Sequence, residues 1–399
     1  MKKIILFVHQ SADLYGSDRV LLALVSKLDR EKYHPIVLLP VDGPLVTELA
    51  IADIEYHVLP ITCLSRATLS FLGLLCLPAN LIKSIRAINH ALKNRHVDLV
   101  HSNTLAVLSG AIWARYYRVR HVWHVHEIIL HPKWVRKVYA LLLSWFADCI
   151  ICVSHATKEN LLQDKPELAS KIQVVWNGLN REIPVNTDMV NQYRQQLDMQ
   201  DSEILIALLG RINRLKGQRL LVEAAGILWR QGMRNLRFVI VGSVVPGQEH
   251  FLKALQLAIS ESPAKQCFML QSFTQDVWSV LDACDIAVIP STEPESFGMV
   301  ALEAMAASKP VIAANHGGLV EILVQGVTGL LVLPSDATAL AEAIKQLAAD
   351  DNLRRKMGES GLLRYRSEFT LDRHVDNMSR IYEMILYATL KTNIPSKSF

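Results

Sequence analysis

From one end of the chain to the other, short β-rich apolar runs alternate with segments of helical period, and no feature narrows the fold more. A run apolar at every position cannot keep one face in water. Each such strand is therefore expected to be covered on both sides, with a helix between consecutive strands allowing parallel pairing. The strands are predicted at residues 4–9, 35–39, 55–59, 98–102, 120–124, 149–153 and 173–175. A second series follows at 205–209, 238–241, 268–270, 286–290, 311–313 and 329–332. Between them, residues 19–28, 157–162, 218–230 and 337–348 carry helical spacing. The series pauses over 180–199, which is polar and lacks a strand. The reading is therefore two parallel α/β domains, 1–185 and 203–368, with a linker at 186–202. A last helix is expected over 371–390, in a closing segment 369–399 that ends in a frayed tail.

A length of 399 residues supports two domains, because single cores stop growing at about 250–300 residues. With 51% hydrophobic and 20% charged residues the chain is not of the disordered class. A formal charge of +4 is too small to argue for nucleic acid as a partner. Residues 1–190 hold 21 Lys and Arg against 16 Asp and Glu, and the remainder 21 against 22, so the small excess is confined to the first half. The six cysteines are scattered in apolar contexts, which points to a reducing compartment and a cytoplasmic protein. Cys149 and Cys152 have the spacing of a redox pair, but in a strand such side chains face opposite sides. The opening run 4–8 is shorter than the apolar core of a signal peptide. The longest uncharged stretch, 67–82, is too short and too interrupted by Gly73 and Pro78 to span a membrane.

In open parallel sheets ligands bind beyond the carboxyl ends of strands, so the loops after each strand are where chemistry is sought. After 205–209 comes Gly210-Arg211-Ile212-Asn213-Arg214-Leu215-Lys216-Gly217. Gly210 permits a tight turn, Arg211 offers a forked guanidinium, and Lys216 sets a point charge at the next helix start, a set that suits a diphosphate. Alone, the segment would suit a solvated surface turn equally well. After 286–290 come Glu295, then Phe297, Gly298 and Met299 at the start of a helix over 300–307 that contains Val300 and Glu303. Backbone N–H groups at that helix start can hold phosphate and sugar hydroxyls. Glu295 can reach a sugar and Glu303 can accept from both hydroxyls of a ribose. Glu303 sits in a strongly apolar helix, where an idle carboxylate would be costly. The loop after 311–313 carries His316, Gly317, Gly318 and Glu321; its paired glycines allow close backbone approach, and His316 suits a structural role or a ligand contact equally.

The C-terminal half resembles the nucleotide-sugar domain of the family-four glycosyltransferases of the GT-B fold. The resemblance rests on Glu295 and Glu303, two glutamates separated by seven residues, within an ordered match from Asp285 to Pro334 that continues through Ser335 and Asp336. It implies two facing Rossmann-like domains with parallel sheets, the active site in the cleft between them, and a C-terminal helix returning to the N-terminal domain. It further implies a retaining transferase of the bacterial cell-surface polysaccharide type, moving a sugar from a nucleoside diphosphate to an acceptor hydroxyl on a glycan or lipid-linked glycan. Arg211 and Lys216 would bind the diphosphate together with Gly210, Phe297, Gly298, Met299 and Val300. Glu295 would address the donor sugar and Glu303 the ribose. No metal or other cofactor is required by that scheme. Ser308 departs from the family, which usually has Gly there; a small local change without loss of activity is expected.

The first half resembles the family more loosely. Residues 11–20 match its glycine-rich first loop, with Gly16 as the phosphate or acceptor contact and Tyr15 where a first glycine is common. The strand containing Val122-Trp123-His124-Val125-His126-Glu127 matches the one that delivers the active-site histidine, assigned to His126 with His124 as second candidate. His121, His124, His126 and His131 cluster in sequence, but His126 and His131 are spaced for different helix faces, against a zinc site. Residues 132–146 combine Lys133, Arg136 and Lys137 with Trp134, Tyr139, Trp145 and Phe146, and residues 68–82 are leucine-rich. Burial as helices in the N-terminal core is the favoured reading of both; the other is peripheral contact with an anionic membrane at its inner face. Two competing classes, a non-catalytic nucleotide-sugar-binding protein and a sugar-nucleotide epimerase of the same architecture, would not need Arg211, Lys216, Glu295, Glu303 and His126 together.

Overall fold

The structure is a computed structural model that describes residues 2–64, 68, 71–181 and 185–392; of the tail expected to fray, 392–399, all but Thr392 lies outside these, and Thr392 closes a helix. Two compact units are present, one formed by residues 1–178 with 371–399, the other by 179–370.

The first unit holds seven parallel strands: β1 (Lys3–His9), β2 (Tyr33–Leu39), β3 (Glu55–Val58), β4 (Leu99–Asn103), β5 (Arg120–Val125), β6 (Cys149–Cys152) and β7 (Ile172–Val174). They lie in the order β3-β2-β1-β4-β5-β6-β7. Strand β1 shows why the runs are apolar throughout. Ile5 and Phe7 pack on one face with Leu21 and Leu24 of the helix Gly16–Lys27, while Leu6 and Val8 pack on the other with Ile36, Leu38 and Trp113. Each fully buried side chain of this size contributes roughly 1.5–3 kcal/mol. The helix Leu371–Thr392 joins the first of these faces through Val375, Met378, Tyr382 and Ile385, which repeat at helical spacing. Cys149 and Cys152 are both free and buried within β6, and burial pushes both thiols up, that of Cys149 to about 12.

The second unit has six parallel strands: β8 (Ile204–Leu209), β9 (Leu236–Val241), β10 (Phe268–Gln271), β11 (Ile286–Ile289), β12 (Val311–Ala314) and β13 (Gly329–Val332), in the order β10-β9-β8-β11-β12-β13. Part of the segment read as a linker, 186–202, is a helix, Thr187–Gln196, belonging to this unit, and the chain passes between units at 178/179 and 370/371. Its polar composition hides the helix because polar groups fasten it. Tyr193 donates to Gln271 Oε1 at 2.6 Å and Arg194 to the carbonyl of Ala283 at 2.9 Å.

The basic-aromatic segment forms the helix Lys133–Phe146, and burial describes only one of its faces. Arg136, Tyr139, Ala140 and Leu143 are buried, with Arg136 donating to Gln163 Oε1 at 2.6 Å and paired with Asp164, so this cation does not face solvent. Trp134 and Trp145 are 54% and 62% exposed, with Val138 and Leu141 exposed between them. In the helix Phe71–Leu92, Ile88 and Leu92 are buried but Leu72, Leu75 and Ile82 are exposed, so the leucine-rich stretch is not simply core; residues 69 and 70 lie outside those described.

Candidate active site

In each unit the strand order reverses once, between β1 and β4 and between β8 and β11. Consecutive crossovers leave in opposite directions there, opening a crevice at the carboxyl ends. Both crevices are lined by polar groups.

In the second unit the loop after β8 and the loop after β11 meet. Lys216 Nζ donates to Glu295 Oε1 at 2.9 Å, and Ser291 Oγ donates to the same oxygen. Burial by itself would raise the Glu295 carboxyl; Lys216 and Ser291 outweigh it and hold it below the usual carboxylate range. The Lys216 stem lies over Gly210, which has φ 147°, and Gln218 Nε2 holds the carbonyl of Arg211 at 2.9 Å. The helix Met299–Ala306 starts at Gly298 with φ 118°, where a Cβ would stand 2.6 Å from Leu319 Cδ2. Met299 and Val300 give the first helical N–H groups, Phe297 is buried before them, and Glu303, 9% exposed, lies one turn further in. Gly318 explains the shape of the Glu295 loop. Its N–H donates to the Glu295 carbonyl at 2.7 Å, and a Cβ there would come within 2.6 Å of Phe297 Cα. His316 is bonded through Nε2 to the Ser291 carbonyl at 2.9 Å, which braces the loop.

In the first unit, His126 follows β5, and its Nε2 lies 3.0 Å from Asn103 Oδ1 at the end of β4. Asn103 Nδ2 lies 3.0 Å from His9 Nδ1 at the end of β1, and His9 Nε2 lies 2.6 Å from Asp18 Oδ1 in the first turn of the helix Gly16–Lys27. Asp18 also accepts from Ser11 Oγ and from the backbone N–H of Tyr15, the residue before Gly16. A Cβ on Gly16 would touch nothing within 4 Å, so packing alone does not demand glycine there. Thr104, the residue after Asn103, has φ 91°, an outlier for a β-branched residue, and its carbonyl accepts from Trp123 Nε1 at 2.8 Å. His124 is fully buried, its ring 4.1 Å from that of His126, and neither of its nitrogens has a hydrogen-bond partner among the described residues. Burial, with neighbouring histidines, lowers both rings, that of His126 to about 3. Glu127 accepts from the N–H groups of Leu105 and His126, yet burial raises its carboxyl to about 7. Among the described residues no group of His, Cys, Asp or Glu is placed to hold a metal ion. His9, Ser11 and Asp18 are near one another in the chain, but Asn103 is brought to them only by the β1/β4 pairing, which spacing along the chain does not reveal.

Two Rossmann-like parallel units of this kind make up the GT-B fold. Among solved structures, Anabaena HepE in complex with UDP and glucose superposes with a TM-score of 0.81, covering 95% of this chain and 99% of that one at 25% identity. The family model described as glycosyl transferases group 1 matches residues 189–364, and that of glycosyltransferase family 4 matches residues 15–183. The glycosyltransferase MJ1178 of Methanocaldococcus jannaschii is 27% identical over 308 residues, covering 76% of this chain and 80% of that protein. The D-inositol 3-phosphate glycosyltransferase of Corynebacterium jeikeium is 31% identical over 242 residues, 59% of this chain and 57% of that one. The chain belongs to the family-four glycosyltransferases.

Proposed function

We propose that the protein transfers a sugar from a nucleoside diphosphate to an acceptor hydroxyl with retention of anomeric configuration. The observation that carries this is the Lys216–Glu295 pair, 2.9 Å apart at the β8/β11 reversal, beside the glycine-started helix that carries Glu303. Arg211, Lys216 and the N–H groups of Met299 and Val300 bind the diphosphate and stabilise the negative charge that grows as it departs. Glu303 accepts from the ribose hydroxyls. Glu295, kept ionised by its neighbours, orients the sugar. The bond from the anomeric carbon to phosphate breaks as the bond to the acceptor oxygen forms on the same face, and the leaving phosphate takes the hydroxyl proton. His126 contacts the sugar, and Gly16 gives the loop room for phosphate or acceptor. The UDP and glucose of HepE support a nucleotide-sugar donor. The exposed tryptophans of the helix Lys133–Phe146 support a lipid-linked glycan acceptor, in cell-surface polysaccharide synthesis at the inner face of a membrane.

The test is a thermal-shift panel of nucleoside diphosphates and their sugars, followed by transfer assays. One nucleotide class is expected to stabilise the chain, by about 2.7 kcal/mol at a hundredfold excess over Kd. Glu295→Ala is expected to keep the shift from that diphosphate while transfer falls by about a hundredfold or more. Transfer unchanged in Glu295→Ala would remove Glu295 from the site, and a thermal shift with neither transfer nor donor hydrolysis by the unaltered chain would return the protein to the class of sugar-nucleotide binders.

A further inference from the structure

The chain of hydrogen bonds from Asp18 to His126 fixes where each proton sits, and the direction can be worked out from its acidic end. Asp18 is buried, in the first turn of the helix Gly16–Lys27, where helix N–H groups favour negative charge. Burial works against its ionisation, but His9, Ser11 and the Tyr15 N–H outweigh it and hold the carboxyl below its ordinary value. An ionised carboxylate only accepts, so the proton between Asp18 Oδ1 and His9 belongs to His9 Nε2, 2.6 Å away. Asn103 Nδ2 lies 3.0 Å from His9 Nδ1 and 3.5 Å from the Ser17 carbonyl oxygen, which can only accept. The amide therefore turns its NH2 edge to this side; at 3.0 Å it is nearer to His9 Nδ1 than the Asn103 backbone carbonyl at 3.3 Å, and the Nδ1 lone pair is assigned to this shorter bond. The opposite edge, Oδ1, faces His126 Nε2 at 3.0 Å, and a carbonyl oxygen again only accepts. His126 thus carries its proton on Nε2 and leaves Nδ1 bare.

We propose that Asp18, His9 and Asn103 are positioning residues that hold His126 in this single tautomer, so that it meets a hydroxyl of the transferred sugar as a hydrogen-bond acceptor at Nδ1. What His126 touches rests on the glycosyl-transfer reading; the tautomer does not. Asp18 also caps its helix through the Tyr15 N–H at 2.9 Å, and a role confined to capping would leave His126 unaffected.

The full chain labelled with 15N-histidine, with ring signals assigned by His9→Gln and His126→Gln, reports each tautomer directly. Both His9 and His126 are expected to be protonated at Nε2 alone. In Asp18→Asn the new amide can donate to His9 Nε2, the chain reverses, and His126 is expected to lose its single tautomer. With it, kcat for transfer should fall by about tenfold or more while the donor KM stays within about threefold. If Asp18→Asn does not fold, Asn103→Ala reads the last link alone: His9 keeps its proton on Nε2 while His126 averages. A proton on Nδ1 of His126 in the unaltered chain overturns the proposal, as does a His126 ring unmoved in either variant. Tautomers that shift as expected while transfer is untouched uphold the chain of bonds but overturn the assignment of His126 to the sugar.

Discussion

Two residues past the helix Met299–Ala306 the backbone turns left-handed at Ser308, with φ 59°. The position closes the helix, since Ser308 N–H bonds back to the Met305 carbonyl at 2.9 Å and Lys309 N–H to that of Ala304 at 2.9 Å. The Ser308 carbonyl also abuts Gly358, where a Cβ would come within 2.1 Å, so the turn has no room to relax. An L-residue held there costs roughly 1–2 kcal/mol that glycine avoids, partly offset by glycine's greater freedom when unfolded. Ser308→Gly, the residue usual in the family resembled, is therefore expected to stabilise the second unit by about 0.5–1 kcal/mol, seen as a rise in its denaturation midpoint. Ser308→Val, which adds branching at the same φ, should lower it. A fall with glycine would mean the serine side chain contributes more than its backbone costs. Activity should change little, because the helix start with the Met299 and Val300 N–H groups lies at the other end.

At the scale of the element, the helix Lys133–Phe146 divides into two faces with different tasks. Positions 134, 138, 141 and 145 recur at helical spacing and present Trp134, Val138, Leu141 and Trp145 outward, with Lys133 and Lys137 beside them. Indole rings with adjacent ammonium groups suit the headgroup region of an anionic bilayer. Sedimentation with vesicles containing anionic lipid is expected to carry the protein down, and Trp134→Ser with Trp145→Ser to weaken binding by about tenfold or more, each buried indole contributing on the order of 1 kcal/mol. Equal sedimentation by the double variant, or none by the unaltered chain, would set this use of the helix aside. The same helix shows what sequence can and cannot disclose. Strands such as β1 and β8 were legible because burial on both faces imposes apolar residues at every position, and the loops around Arg211, Lys216, Glu295 and Glu303 because an ordered motif marks them. Which half of an amphipathic helix finds a cover is a property of its neighbours, and only the fold sets Asp164 beside Arg136. The linker assignment missed the helix Thr187–Gln196 because hydrogen bonds, with no buried apolar stripe, hold it. His9, Asp18 and Asn103 escaped notice since only strand order brings them to His126.

Across the whole molecule, acid should act on the two units unequally. Burial holds His101 and His124 neutral with values well below 6.5, and lowers His121 and His374 to about 4 and His126 to about 3; all five belong to the first unit. A histidine depressed in the fold takes its proton on unfolding, so the unfolded state binds more protons between the folded value and 6.5. Stability is then complete above about pH 6.5 and falls below it, by up to about 1.4 kcal/mol per pH unit for each such group. Glu127 has the opposite sign: raised to about 7, it takes its proton in the folded state first and gains stability as pH falls from 7 towards 4.5. One carboxyl does not offset five imidazoles. In the second unit His316 is lowered by burial too, whereas Glu295, held low, loses stability only below its ordinary 4.5. Between pH 6.5 and 4.5 the first unit is therefore expected to weaken well ahead of the second. Tryptophan fluorescence is a suitable reporter, because Trp113, Trp123, Trp134, Trp145 and Trp176 lie in the first unit against Trp229 and Trp278 in the second. Its melting temperature should drop by several degrees between pH 7 and 5, with hydrogen exchange rising first in β4 and β5. His124→Phe removes a ring whose nitrogens have no partner among the described residues, so it should shrink that drop at little cost near pH 7. Parallel loss in both units, or a drop unchanged in His124→Phe, would show that the buried imidazoles do not set the acid limit.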